Sequence, residues 1–212
     1  MSFFSFFRRK PAPSRTKPPS VKPKDWNSVA PKPTGRVDIR RHFYNEAGFQ
    51  CYASFFAHWG GWITAGHCMT ETGELHPPFS GGEIGSWIDG LDAALLGCRL
   101  PTARPAHPAI GQEVICKGYP AGSRHLEERV GKVYYERLPG TWIVHIEDPD
   151  EPVVTGMSGG PVIDARTGEP IGIIITRNSP ADLNNDRDPD ESCDFISLAA
   201  VWDGMMKDKA VS

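Results

Sequence analysis

No stretch of this 212-residue chain approaches the roughly eighteen consecutive apolar residues that a membrane-spanning helix needs. Sustained helical periodicity is missing as well, except near the end, where Ala199 to Lys207 is predicted to form one terminal helix. The chain has no CxxC pair and no HExxH motif, and His42, His58, His76, His107, His125 and His145 fall at no ligand spacing. Neither a structural nor a catalytic metal is therefore expected. A Walker loop, a dinucleotide fingerprint and internal repeats are also lacking, so no cofactor is expected. Asp182 to Asp190 alternates oxygen-bearing side chains, yet Arg187 stands where a calcium loop needs glycine and Cys193 where it needs the closing glutamate. A solvated acidic loop is the expectation there. MSFFSFFRRK sets its apolar residues ahead of its basic ones, the reverse of a signal peptide, which points to a cytoplasmic product.

What is present divides into an arm and a body. Residues 8 to 36 hold seven prolines and nine Lys or Arg against one acid, Asp25. That segment carries +8 of a total of −3, which leaves −11 for the rest. A chain so basic and so poor in apolar groups cannot offset its ordering entropy, so residues 1–38 are read as a disordered, partly polyproline-II arm. Such an arm could tether an acidic partner or nucleic acid, although it lacks the interleaved aromatics of a base-stacking surface. Residues 39–212 form the second unit, where short apolar runs alternate with Gly, Pro and Asp. FQCYASFFAHW, WITAGHC, DAALLGCRL, EVICKGYP, GKVYYERL, TWIVHIE, GPVIDA, PIGIIITR and DFISLAAVW each read as a strand or strand end, so the body is all-β.

Three motifs carry chemistry. WITAGHC ends an apolar strand at His67, where a short turn can present an imidazole at a cleft. GLDAALLG sets Asp92 just before a small apolar run, where a buried carboxylate needs a hydrogen-bonding partner; Asp89, nearby, reads as an exposed turn residue. GMSGGP flanks Ser158 with glycines, which permit a tight turn whose amides point at one spot. A serine hydroxyl becomes a competent nucleophile when a base takes its proton during attack. Nucleophile, base and orienting carboxylate are thus all available, in the order His, Asp, Ser.

In that order and in those motifs the chain resembles the chymotrypsin/trypsin-like serine proteases, in their bacterial, phage or viral branch, over roughly Phe43 to Trp202. The resemblance implies two packed six-stranded antiparallel β-barrels followed by a short C-terminal helix. It also implies an oxyanion hole built from the amides of Gly156 and Ser158. Thr176 and Arg177 fall where relatives shape the substrate pocket, and Cys51 and Cys68 bracket His67 as a disulfide does in secreted relatives. With no export signal and five cysteines, reduced thiols are expected here. Association with a phage or viral particle is a second location that the resemblance allows.

The departures from the family pattern are informative. Pro152 stands six residues before Ser158, where trypsin carries the acid that binds Lys or Arg. Asp150 or Glu151 is a substitute for that acid if the loop is shifted, whereas Arg177 favours an acidic substrate residue. Met157 replaces the aspartate that in secreted relatives pairs with a new N-terminus after activation cleavage, and a thioether cannot make that ion pair. The expectation is a serine endopeptidase acting on protein or peptide substrates, with an oxyanion loop ordered without that switch. The alternatives are an esterase using the same triad and a catalytically idle protease fold used as a binding or assembly module.

Overall fold

The computed structural model describes residues 37–46, 49–68, 86–88, 90–148, 150–178 and 192–211. These belong to one compact unit, Pro31–Ser212; a second, Met1–Ala30, lies outside the described residues. The basic arm as far as residue 36, Asp89 and the Asp182–Asp190 loop lie outside them too, as do the side chains of Cys51, Thr176 and Arg177.

Eleven strands and one helix are described. A five-stranded sheet is built from β1 (Ile39–Glu46), β2 (Phe49–His58), β3 (Gly61–Thr64), β4 (Ser86–Trp87) and β5 (Ala94–Leu96), in the order β1-β2-β3-β5-β4. A closed barrel follows, from β6 (Glu113–Gly118), β7 (Glu127–Leu138), β8 (Thr141–Ile146), β9 (Pro161–Asp164), β10 (Pro170–Asn178) and β11 (Ser192–Ser197). All pairings are antiparallel. The expected all-β body, one six-stranded barrel and the terminal helix are therefore present. Of the two expected barrels one is seen closed; among the described residues the first half is a five-stranded sheet in the order given above.

Burial explains why these runs become strands. In β2, Ala53, Ser54, Phe55 and Phe56 are all fully buried, so the strand is covered on both faces. Phe56 packs into a cluster shared with Ile173 and Ile196 of the barrel and Leu198 and Val201 of the helix. Phe55 faces the other way, against Ala94, Leu96 and Trp62. The barrel has its own interior, filled by residues such as Val114, Val133, Val144, Ile174 and Phe195.

β11 passes directly into helix α1 (Leu198–Val211), and the hydroxyl of Ser197 accepts from Ala200 N at 3.2 Å as an N-terminal cap. The helix straps the two halves together. Trp202 Nε1 donates to Pro101 O at 3.2 Å, and Arg104 makes a two-pronged contact with Asp203, Nε to Oδ1 at 2.7 Å and Nη2 to Oδ2 at 2.5 Å. No helix among the described residues is long and apolar enough to cross a membrane.

Candidate active site

β3 delivers His67. The strand ends at Thr64 and turns at once into a single 3-10 turn, Gly66–Cys68, closed by Cys68 N donating to Ala65 O at 3.1 Å. Its antiparallel neighbour is β5, with Trp62 opposite Leu96 and Thr64 opposite Ala94. That register brings the residues just before β5 alongside those just after β3, so Asp92 meets His67. One Asp92 oxygen accepts the His67 backbone amide at 2.7 Å, and the other lies 2.6 Å from Nδ1. Against a carboxylate Nδ1 is the protonated nitrogen, which leaves the lone pair on Nε2.

The titration of this pair follows from its surroundings. Burial opposes the His67 cation, but the Asp92 hydrogen bond and charge, with Cys68 adding to them, outweigh it and hold His67 above its ordinary 6.5. Burial likewise opposes ionised Asp92, while His67, through its ring and its amide, and the Gly66 amide hold it below the ordinary carboxylate value. Cys68 is a free, buried thiol whose Sγ lies 3.9 Å from Ser158 O.

The barrel delivers Ser158 on the loop between β8 and β9. Gly156 has φ +94°, and a Cβ there would meet Ala121 N at 2.6 Å and Tyr119 O at 2.7 Å. Gly160 is as confined, because a Cβ there would lie 2.0 Å from Lys117 O. The loop is thus pressed against backbone that cannot move aside, and only glycine fits. Between them Met157 is fully buried in the barrel core. Burying a methionine contributes about 1.5–3 kcal/mol, so the residue that departs from the family pattern anchors the loop. Its amide donates to Val154 O at 3.1 Å, and its carbonyl accepts from Gly160 N at 3.0 Å. The amides of Gly156 and Ser158 donate to no group among the described residues. They are the two that the resemblance assigns to an oxyanion hole.

His67, Asp92 and Ser158 line one cavity of about 400 Å³, whose other walls are Val153, Val154, Thr155 and Ile175. Ser158 Oγ donates to Ile175 O at 3.5 Å. Neither Asp150 nor Glu151 lines it. Glu151 turns instead toward Arg129, 3.9 Å from Nη1 and 59% exposed. Arg129, itself buried, also pairs with Glu127 and donates to Pro152 O at 3.0 Å, which fixes the start of the loop. Thr176 and Arg177 continue β10 beyond Ile175, with Thr176 opposite Asp194 and Arg177 opposite Cys193. Sequence reasoning missed Ser54, a buried hydroxyl that touches this loop from β2. The one local cue is a polar residue inside an otherwise apolar run. Among the described residues, no group of three or more His, Cys, Asp or Glu is placed to hold a metal ion.

The sequence matches no family model and no curated protein. Among solved structures, the chain is similar to a serine endoprotease from Yersinia pestis, with TM-score 0.51 and 16% identity over 80% of this chain. It spans only 61% of that longer protein. It is also similar to the active form of Rv3671c protease from M. tuberculosis, with TM-score 0.52 and 17% identity over 81% of this chain and 79% of the other. A third likeness is to a mutant of Tobacco Etch Virus protease, with TM-score 0.50 and 14% identity over 82% and 77%. These proteins have a common architecture, and this chain shares it: its fold is that of the trypsin/chymotrypsin-like serine proteases.

Proposed function

We propose that the chain is a serine endopeptidase working through a His67, Asp92, Ser158 triad. The observation that carries this reading is the meeting of three side chains from distant segments at one cavity, with the Gly156 and Ser158 amides beside the nucleophile donating to no group among the described residues. In the reaction, Ser158 Oγ attacks the scissile carbonyl carbon while its proton passes to His67 Nε2. The carbonyl oxygen gains the electron pair and is held by the two amides. As the tetrahedral species collapses, the C–N bond breaks and His67 returns the proton to the departing amine. Water then repeats both halves of the cycle on the acyl-enzyme, releasing the acid and restoring Ser158. One such amide donor contributes about 3–4 kcal/mol to lowering the barrier.

Two further features complete the reading. The buried Met157 supports a loop that is ordered without activation cleavage, because nothing there calls for a new N-terminal ammonium. The aliphatic walls Val153, Val154 and Ile175 favour an uncharged, apolar substrate side chain next to the scissile bond over the basic residue that Asp150 or Glu151 would bind. A cleavage-site profile on a mixed peptide pool tests both. Cuts after apolar residues, lost in Ser158→Ala, are expected. Cuts after Lys or Arg would overturn the pocket reading alone. The same products from Ser158→Ala would overturn the triad.

A further inference from the structure

The loop carrying Ser158 is gripped from the sheet side by one buried residue, Ser54 of β2. Its hydroxyl donates to Gly156 O at 2.9 Å and accepts from Tyr119 N at 2.9 Å. Its backbone amide donates to Ser158 O at 2.8 Å. Its carbonyl accepts from the buried Thr64 Oγ1 at 2.9 Å, two residues before the His67 turn. One residue therefore bonds the carbonyls on both sides of Met157. Those carbonyls lie in the Gly156–Met157 and Ser158–Gly159 peptide planes, on either side of the Met157–Ser158 plane that carries the Ser158 amide, so bonding both restricts rotation of the plane between them.

We propose that Ser54 is a positioning residue that holds the oxyanion hole formed, a role that rests on the endopeptidase reading above. Ser54 touches neither substrate nor reacting atoms and acts through the Gly156 carbonyl. With that carbonyl bonded, the Gly156–Met157 peptide is held with its Met157 amide on Val154 O, and the Gly156 and Ser158 amides are left as donors to the cavity. A buried hydroxyl suits this task because it satisfies a donor, Tyr119 N, and an acceptor, Gly156 O, at once. Removing it leaves both unpaired and releases the Gly156–Met157 plane that flanks the two cavity amides.

Two nearly isosteric replacements in the full chain isolate the hydroxyl: Ser54→Thr retains it and Ser54→Val does not. The readouts are the second-order rate of fluorophosphonate labelling, kcat and KM on a peptide pool, and the thermal midpoint. Ser54→Thr is expected to label within about threefold of the unmodified chain. Ser54→Val is expected to lose on the order of 10- to 100-fold, less than the roughly 10²- to 10³-fold for deleting an oxyanion donor outright. The loss should fall on kcat and leave KM nearly unchanged. Thr64→Val removes a buried hydroxyl bonded to the same strand but not to the loop, and should lower the thermal midpoint without slowing labelling. A folded Ser54→Val that labels as fast as Ser54→Thr would overturn the proposal.

Should the valine variant fail to fold, amide hydrogen exchange in the unmodified chain decides. Protection of the Met157 amide comparable to that of Ser54 supports a held loop, and free exchange at Met157 contradicts it. If the unmodified chain takes up no fluorophosphonate, the hydrolase reading fails and this role falls with it, whatever the exchange pattern.

Discussion

The closed barrel and the five-stranded sheet hold their halves of the site by different means. On the barrel side, the nucleophile loop is over-determined: Met157 is fully buried beneath it, and Gly156 and Gly160 are pressed against backbone atoms. On the sheet side, His67 sits on a one-turn bend with 47% of its side chain exposed, and its ring and amide are both bonded to the single carboxylate of Asp92. On the proposed reading, packing sets the nucleophile Ser158 and one ion pair sets the base His67. Damage to the first should therefore appear as lost stability, and damage to the second as lost activity and a displaced pH profile in an intact fold.

The largest expected effect separates chemistry from packing. Ser158→Ala should lower kcat by about 10⁵- to 10⁶-fold, as loss of a triad nucleophile does, with the thermal midpoint nearly unchanged. Asp92→Asn comes next, at about 10⁴-fold in kcat, because the ring is then held in the wrong tautomer. It should also move the pH profile. The base must be neutral to accept a proton, and His67 is held above 6.5, so kcat/KM should rise with pH through a midpoint above 6.5. Without the Asp92 anion that midpoint should fall; a midpoint that stays put in Asp92→Asn would show that the ion pair does not set the base.

On the barrel side the measurement is denaturant unfolding. Met157→Asp places a carboxylate without a partner in the barrel core and should cost on the order of 3–5 kcal/mol. Met157→Leu nearly conserves volume and should cost less than about 1.5 kcal/mol while keeping activity. Equal tolerance of Asp and Leu would mean that packing does not hold the loop. The smallest effect is expected from Glu151→Gln. Its contact with Arg129 is long and exposed, so the change should alter stability by about 0–1 kcal/mol and leave cleavage preference unchanged.

Strands dense in aromatic and β-branched residues were legible from residues alone. Phe49–His58, Glu113–Gly118 and Thr141–Ile146 fall within the apolar runs FQCYASFFAHW, EVICKGYP and TWIVHIE. β1 was not, because IRRHFYNE is rich in charge and its pairing with β2 is supplied by backbone ladders that no side-chain pattern announces. The run DFISLAAVW is a strand end followed by the start of the helix. Ser197 caps a helix within it, and the expected helix starts one residue early and runs four past Lys207. The second barrel was implied by resemblance, and closure depends on long-range pairing that local pattern does not report.

The site divides in the same way. His67, Asp92 and Ser158 stood out through short motifs, and the structure brings them to one cavity. Ser54 did not, because its meaning depends on a contact 102 residues away in sequence. The orientation of Glu151 was equally hidden, since Arg129 sets it from another strand. Local chemistry is written in neighbouring residues; the supports that aim it come from the fold.

The chain is proposed to carry a formed, triad-based site without N-terminal cleavage. Intact-mass analysis of the full 212-residue chain after fluorophosphonate treatment tests it most directly. The expected result is a single adduct on the uncleaved chain, mapped to Ser158 and absent in Ser158→Ala. An adduct that forms only on chains shortened near Arg36, or on a residue other than Ser158, would contradict the account.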